Sequence, residues 1–292
     1  MLYTLENEST KITASTYGGE LHNLISKKNE IEFLWNGDPK HWKYHSPILF
    51  PIVGKVNNGE YRACGATYNL PQHGLARVSD FEMIDQTKDS ITFELKYSND
   101  TLKVYPYKFS LKIKYTLIES GVKVTYIVKN LDDKIIYFSI GAHPAFLCPI
   151  EENETMNDYY FEFNHKETAD TMLLTKDGYF NHERKDYLDD ENIIPLSKEL
   201  FAGDALVFDN LKSNKISLKS KNHGKSLTMD FEGFPFMGLW SKAEGAPFVC
   251  IEPWYGHADY SDFTGELKDK AGIEKLDVND TFQCSYTLTL SE

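Results

Sequence analysis

Apolar and polar residues alternate with a period of two along much of the chain, and no other feature limits the fold as tightly. Phe109, Leu111, Ile113, Tyr115 and Leu117 are interleaved with Ser110, Lys112, Lys114 and Thr116. After Glu119-Ser120-Gly121 the alternation resumes at Val122, Val124, Tyr126 and Val128. Successive side chains of a strand point to opposite faces, so two such runs around a short glycine-containing break predict an antiparallel hairpin. The same period marks Ile91, Phe93 and Leu95, and a last strand through Phe282, Cys284, Tyr286, Leu288 and Leu290. Helical periodicity is scarce: residues 194–202 have room for a turn or two, and the charged stretch 184–192 reads as loop. No Pro/Gly/Ser-rich linker and no fixed repeat divides the chain. The expectation is an all-β protein, a large antiparallel β-sandwich forming a single domain over residues 1–292.

Composition narrows the partners. With 31 Lys+Arg against 44 Asp+Glu the formal net charge is -13, which lacks the basic footprint that nucleic acid or an anionic membrane demands. The first twenty residues carry no secretory pattern, and no apolar run approaches the length of a membrane span. A cytoplasmic protein is expected, as a monomer or homodimer. Cys64, Cys148, Cys250 and Cys284 are far apart and form no C-x-x-C pair, so they read as buried free thiols.

Three stretches break the alternation with polar residues in apolar frames. They are "SPILFPIVGKVNNGEY" with "LPQHGLARVSDF", then "SIGAHPAF", then "FVCIEPWYGHADY". His143 and Glu252 each close an apolar run and each precede a proline, which holds the residue before it extended. Taken alone, either side chain fits a packing or capping role equally well. Together in one cleft they suit general acid–base chemistry. A free glutamate titrates near 4.3 and a free histidine near 6.5, so Glu252 would be the base and His143 the acid, with the carboxylate favouring the imidazolium. His73 and Arg77, four residues apart around Gly74, can converge on one ligand. Trp240 and Trp254 offer flat faces on which a sugar's C–H groups stack. Asp204 precedes another apolar run in "GDALVF". No phosphate loop, dinucleotide fingerprint, G-x-S-x-G elbow or H-E-x-x-H motif is present, so no cofactor is expected. Two other classes remain open: a non-catalytic sugar binder, and a metal enzyme using His73, His143 and Glu252 as ligands.

The order "SPILFPIVGK", "QHGLAR", "GAHPAF", "DALVF" and "IEPWYG" resembles the aldose 1-epimerase (galactose mutarotase) family, in its bacterial LacX-like branch, over nearly the whole chain. The resemblance implies a β-sandwich of the supersandwich type and a small-molecule sugar as substrate. It implies Glu252 as catalytic base, His143 as catalytic acid, His73 near the sugar's ring oxygen and Asp204 as a sugar-binding carboxylate. It also places Lys55 and Arg77 in site-forming stretches, where each would bind hydroxyls or a phosphate. Lys55 stands where many relatives carry arginine. Lysine keeps the charge and loses the bidentate fork, which bears on the sugar's hydroxyl pattern or on a phosphate carried by it.

Overall fold

The computed structural model describes residues 1–292. The hairpin expected from the alternation is present: Phe109–Ile118 pairs antiparallel with Gly121–Asn130. Its register sets Leu111 opposite Val128, Ile113 opposite Tyr126 and Tyr115 opposite Val124, so apolar side chains meet on one face. Two neighbours extend the same rows. Ser90–Lys96 brings Phe93 opposite Ile113, and the last strand, Thr281–Ser291, brings Cys284 opposite Tyr126. Four adjacent strands thus present one continuous apolar face, and all these residues are buried in a single core cluster of 62 residues.

These strands belong to a 15-stranded sheet, accompanied by a four-stranded N-terminal sheet and two short ribbons. Every pairing between strands is antiparallel, and the architecture is a large β-sandwich, as the alternation predicts. The one α-helix, Asn99–Val104, is a short connector capped by Ser98. No helix is long and apolar enough to cross a membrane.

Two readings need correction. Residues 184–192 are strand, lying within Phe180–Pro195, which pairs with Tyr159–Leu174. A ribbon whose backbone bonds are met by its partner strand needs no apolar face, and its charges point to water or pair. Arg184, for example, grips Asp170 and Asp209. Residues 194–202 do hold one helical turn, a 3₁₀ turn at Lys198–Phe201, while Ile194 and Pro195 still belong to that strand. Cys64 is exposed at a hairpin tip, while Cys148, Cys250 and Cys284 are buried thiols.

Candidate active site

Glu252 lies in the strand Phe248–Tyr255, which runs on through Pro253 instead of ending at the carboxylate. Along one edge the strand pairs with Phe236–Trp240, with Gly238 opposite Glu252 and Trp240 opposite Cys250. Along the other it pairs with two short strands in turn. Ala145 faces Cys250 and Gly141 faces Trp254. Between those short strands His143 and Pro144 leave the ladder, opposite residues 251–253, which have no register partner on that side. Both X-Pro steps therefore sit at a gap in the sheet, where the amide that proline lacks is not needed. His143 is tethered there by its own N–H to the carbonyl of Pro47, 3.1 Å.

Alternation then separates packing from chemistry. Met237, Leu239, Val249 and Ile251 join the main core. On the opposite face Cys250, Glu252 and Trp254 stand in line, flanked by Gly238 and Trp240. The two glycines make room for Trp254. A Cβ at Gly238 would come within 2.6 Å of its six-membered ring, and one at Gly141 within 2.5 Å of Cδ1. Two small apolar clusters support this face, one around Trp254, Val53 and Phe180, the other around Trp35, Phe248 and Cys250.

The face forms the floor of a cleft of about 590 Å³, within the usual range for small-molecule sites. All eight side chains singled out in the sequence line it: Lys55, His73, Arg77, His143, Asp204, Trp240, Glu252 and Trp254. His143 Nδ1 lies 3.3 Å from Glu252 Oε1, with the two side chains 9% and 2% exposed. The contact is close without being an aligned hydrogen bond, and Trp254 Nε1, also buried, completes none either. The His73 ring meets that of His143 edge-on, centroids 5.4 Å apart. Trp42 lies 4.8 Å from His143 and 5.9 Å from Trp240, making an aromatic wall. Two cleft residues hold left-handed backbone, His73 at φ 66° and Asp204 at φ 80°, a conformation non-glycine residues seldom adopt and one that often marks functional positions.

Burial governs the charges. It brings His143 down to about 3, helped by the nearby Arg77 guanidinium. Burial also pushes the Glu252 carboxyl well above the ordinary range, reinforced by Asp204 and only partly offset by the Trp254 indole. A 3.3 Å approach alone would favour the ionised pair. Here desolvation outweighs it, so the imidazolium expected at His143 gives way to a neutral ring beside a protonated carboxyl. The pair holds one proton between two groups. His73 is also neutral, because burial drives it far down, with the neighbouring His143 ring disfavouring a second proton there and the Arg77 and Lys55 charges adding to it. Its Nδ1 accepts from the N–H of Gly54, 3.1 Å, so the ring carries its proton on Nε2. The alternative metal set also changes. Donor atoms within 4.8 Å of one another come from His143, Cys250 and Glu252, and His73 is committed to Gly54 instead.

Four further cleft residues with hydrogen-bonding side chains were not singled out: Trp42, Gln72, Lys176 and Lys242. Trp42 had a visible cue in the aromatic and basic run "HWKYH". The lysines had none, since an isolated lysine in a loop reads as solvated surface. Lys55 is pinned across the cleft, its Nζ donating to the carbonyl of Asp177, 2.7 Å. Arg77 lies over the Tyr44 ring, 4.9 Å from its centroid.

Comparison with known proteins shows the family and the fold. The family model for aldose 1-epimerase matches residues 1–271. The chain is 34% identical to the chromosomal protein LacX of Lactococcus lactis subsp. lactis, over 99% of each. Among solved structures it superposes on a galactose mutarotase related enzyme from Lactobacillus acidophilus with a TM-score of 0.96 and 36% identity, covering 100% of this chain and 98% of that one. A galactose mutarotase-like protein from Lactobacillus casei gives 0.93 and 30% identity, with both chains covered in full.

Proposed function

Because the chain belongs to the aldose 1-epimerase family, a family of isomerases, we propose that its cleft interconverts the α and β anomers of an aldohexose or hexose phosphate through the open-chain aldehyde. The observation that carries this reading is the buried His143–Glu252 contact of 3.3 Å, set on the floor of a cleft walled by tryptophans. Mutarotation needs two proton transfers in each direction and no net change in proton count. Two groups sharing one proton meet that demand.

In the proposed cycle the shared proton first passes from Glu252 to His143 as the sugar enters, so that ionised Glu252 takes the proton of the C1 hydroxyl while protonated His143 gives one to the ring oxygen. The C1–O bond to the ring opens as the C1 carbonyl forms. The pair is now a protonated carboxyl and a neutral imidazole, the distribution that burial favours. Rotation about C1–C2 presents the other face of the aldehyde. His143 then removes the proton of the chain hydroxyl as it attacks C1, and Glu252 returns its proton to O1. Each proton-transfer group is worth about 10²–10⁴-fold. His73, with its proton on Nε2, is a donor placed to hold the ring oxygen, while Asp204, Lys55 and Arg77 bind hydroxyls or a phosphate, and Trp240 and Trp254 stack on the sugar's apolar face. In this proposal residues 1–292 act as one domain.

Polarimetry of freshly dissolved α-glucose, α-galactose and their 6-phosphates tests the reading. Faster equilibration with wild-type protein, lost in Glu252→Gln, supports it. Measurable sugar affinity with no rate enhancement for any of them rejects it in favour of a non-catalytic binder.

A further inference from the structure

Outside the cleft, Glu20, His22 and His45 bring three metal-ligating side chains to one point. Their donor atoms lie within 4.8 Å of one another, and both imidazoles converge on a single carboxylate oxygen. Glu20 Oε1 is 3.4 Å from His22 Nε2 and 3.6 Å from His45 Nδ1. Glu20 Oε2 is committed to the N–H groups of His45 and Ser46, which fixes the carboxylate and leaves Oε1 to the two rings. The placement of the rings is built into the backbone. Ala14 pairs with Leu21 and Thr13 with Asn23, so His22 is the extra residue of a β-bulge, a feature that re-aims a side chain. His45 is held from its other side by Gly37, where a Cβ would come within 2.6 Å of the ring.

Protons alone serve this arrangement badly. Contacts of 3.4 and 3.6 Å are long for hydrogen bonds, and His45 Nδ1, cut off from water, has no closer partner. The rings stack with centroids 3.9 Å apart and 14° between their planes, so charging both sets two cations face to face. A single divalent ion meets all three donors. Bonds of about 2.1 Å at tetrahedral angles place ligand atoms about 3.4 Å apart. Glu20 Oε1 keeps close to that spacing from each nitrogen. We propose that Glu20, His22 and His45 bind a divalent ion of the zinc class, with water completing its shell. Two imidazoles and a carboxylate are a donor set suited to zinc. Lone pairs on stacked rings run side by side, so one ring turns to meet the ion; His22, 24% exposed, is the freer of the two. The formal net charge of -13 draws cations to the surface. The ion ties the strand Leu21–Ser26 to residues 45–47, where the carbonyls of His45 and Pro47 accept from Ala145 and His143. The site stands whether or not the cleft turns over a sugar.

Titration calorimetry of the full chain, stripped with EDTA and desalted, tests the site with zinc chloride as probe and magnesium chloride as control. His143, Cys250 and Glu252 form the other cluster of possible ligands, so the titration is run both in wild type and in Glu252→Gln, which removes that set. The expected result in both is a zinc ion bound with a Kd of about 10 µM or tighter. Magnesium, which prefers oxygen ligands, gives no comparable heat. Adding His22→Gln, a change on a partly exposed side chain, weakens zinc binding by more than about tenfold. Imidazole ¹⁵N spectra of the wild-type chain give a second readout that needs no variant to fold: zinc shifts the His22 and His45 signals and leaves His73 in place. Zinc affinity unchanged by His22→Gln overturns the proposal. So does a Kd weaker than about 100 µM in Glu252→Gln, or a zinc titration that leaves the His22 and His45 signals unmoved.

Discussion

Glu20 and Glu252 are both buried carboxyl groups with a histidine nitrogen close by, His22 Nε2 at 3.4 Å in one case and His143 Nδ1 at 3.3 Å in the other. Burial pushes both upward. At Glu20 the hydrogen bonds and charges of His22 and His45 outweigh it, and the carboxylate is held below its usual range. Glu20 Oε2 also accepts the N–H groups of Ser46 and His45, 3.2 and 3.4 Å away. Glu252 has no backbone donor, feels Asp204, and keeps a raised pKa. Like residue types thus reach opposite protonation states. Burial alone does not poise a glutamate for proton transfer; the absence of donors to its charged form does.

The two sites are also mechanically linked. Glu20 clamps residues 45–46, and Ser46 Oγ returns a bond to the carbonyl of Leu21, 2.8 Å. The carbonyl of His45 accepts from Ala145 and that of Pro47 from His143. The ionised cluster therefore holds the segment that fixes both sides of His143, while the protonated one does the chemistry.

The largest effect is expected from Glu252→Gln. The amide keeps the shape and cannot take a proton, so anomerase activity should fall by about 10³-fold or more. Stability should move the other way. Glu252 binds its proton more tightly folded than unfolded, so above pH 4.5 it opposes folding increasingly as pH rises, and the variant should melt higher than wild type at about pH 8. A melting temperature lowered at that pH would place Glu252 in the same class as Glu20. His143→Asn should lose about 10²-fold in kcat with KM nearly unchanged, because donation matters in the transition state. A rise in KM alone would make His143 a binding residue.

The pH profile sharpens the contrast further. With His143 brought down to about 3, kcat/KM should show no step near the ordinary imidazole value of about 6.5. Falling pH should add a second proton to the pair only near 3, and rising pH should remove its last proton only above the ordinary carboxyl range. A rise in rate centred near pH 6.5 would contradict this. The same depressed value means that the unfolded chain binds a proton which folded His143 refuses, so its share of stability is lost as pH falls from about 6.5 towards 3. The smallest effect on rate belongs to Glu20→Gln. It should cost about 1–3 kcal/mol of stability through unmet donors, and less than about tenfold in kcat through a looser His143.

Much of this site was legible in the sequence, for identifiable reasons. His143 and Glu252 stood out because each precedes a proline at the end of an apolar run, and that frame does correspond to a gap in the ladder. The hairpin 109–130 was legible because its alternation is long and unbroken. What was hidden depends on neighbours from distant segments. The proton's place in the His143–Glu252 pair is set first by burial and then by Asp204, Arg77 and Trp254, which no local pattern brings together. Glu20 gave no signal, since one of its histidines lies 25 residues away. Residues 184–192 misled because a solvent-facing ribbon carries charge where a half-buried strand carries apolar residues.

The most direct measurement is the side-chain carboxyl ¹³C shift of the glutamates in labelled protein titrated through neutral pH, with Glu252→Gln and Glu20→Gln supplying the assignments. At about pH 6, above the free glutamate value of about 4.3, the account predicts Glu252 protonated and Glu20 ionised in the same sample. An ionised Glu252 at that pH, titrating at or below the ordinary glutamate value, would contradict it.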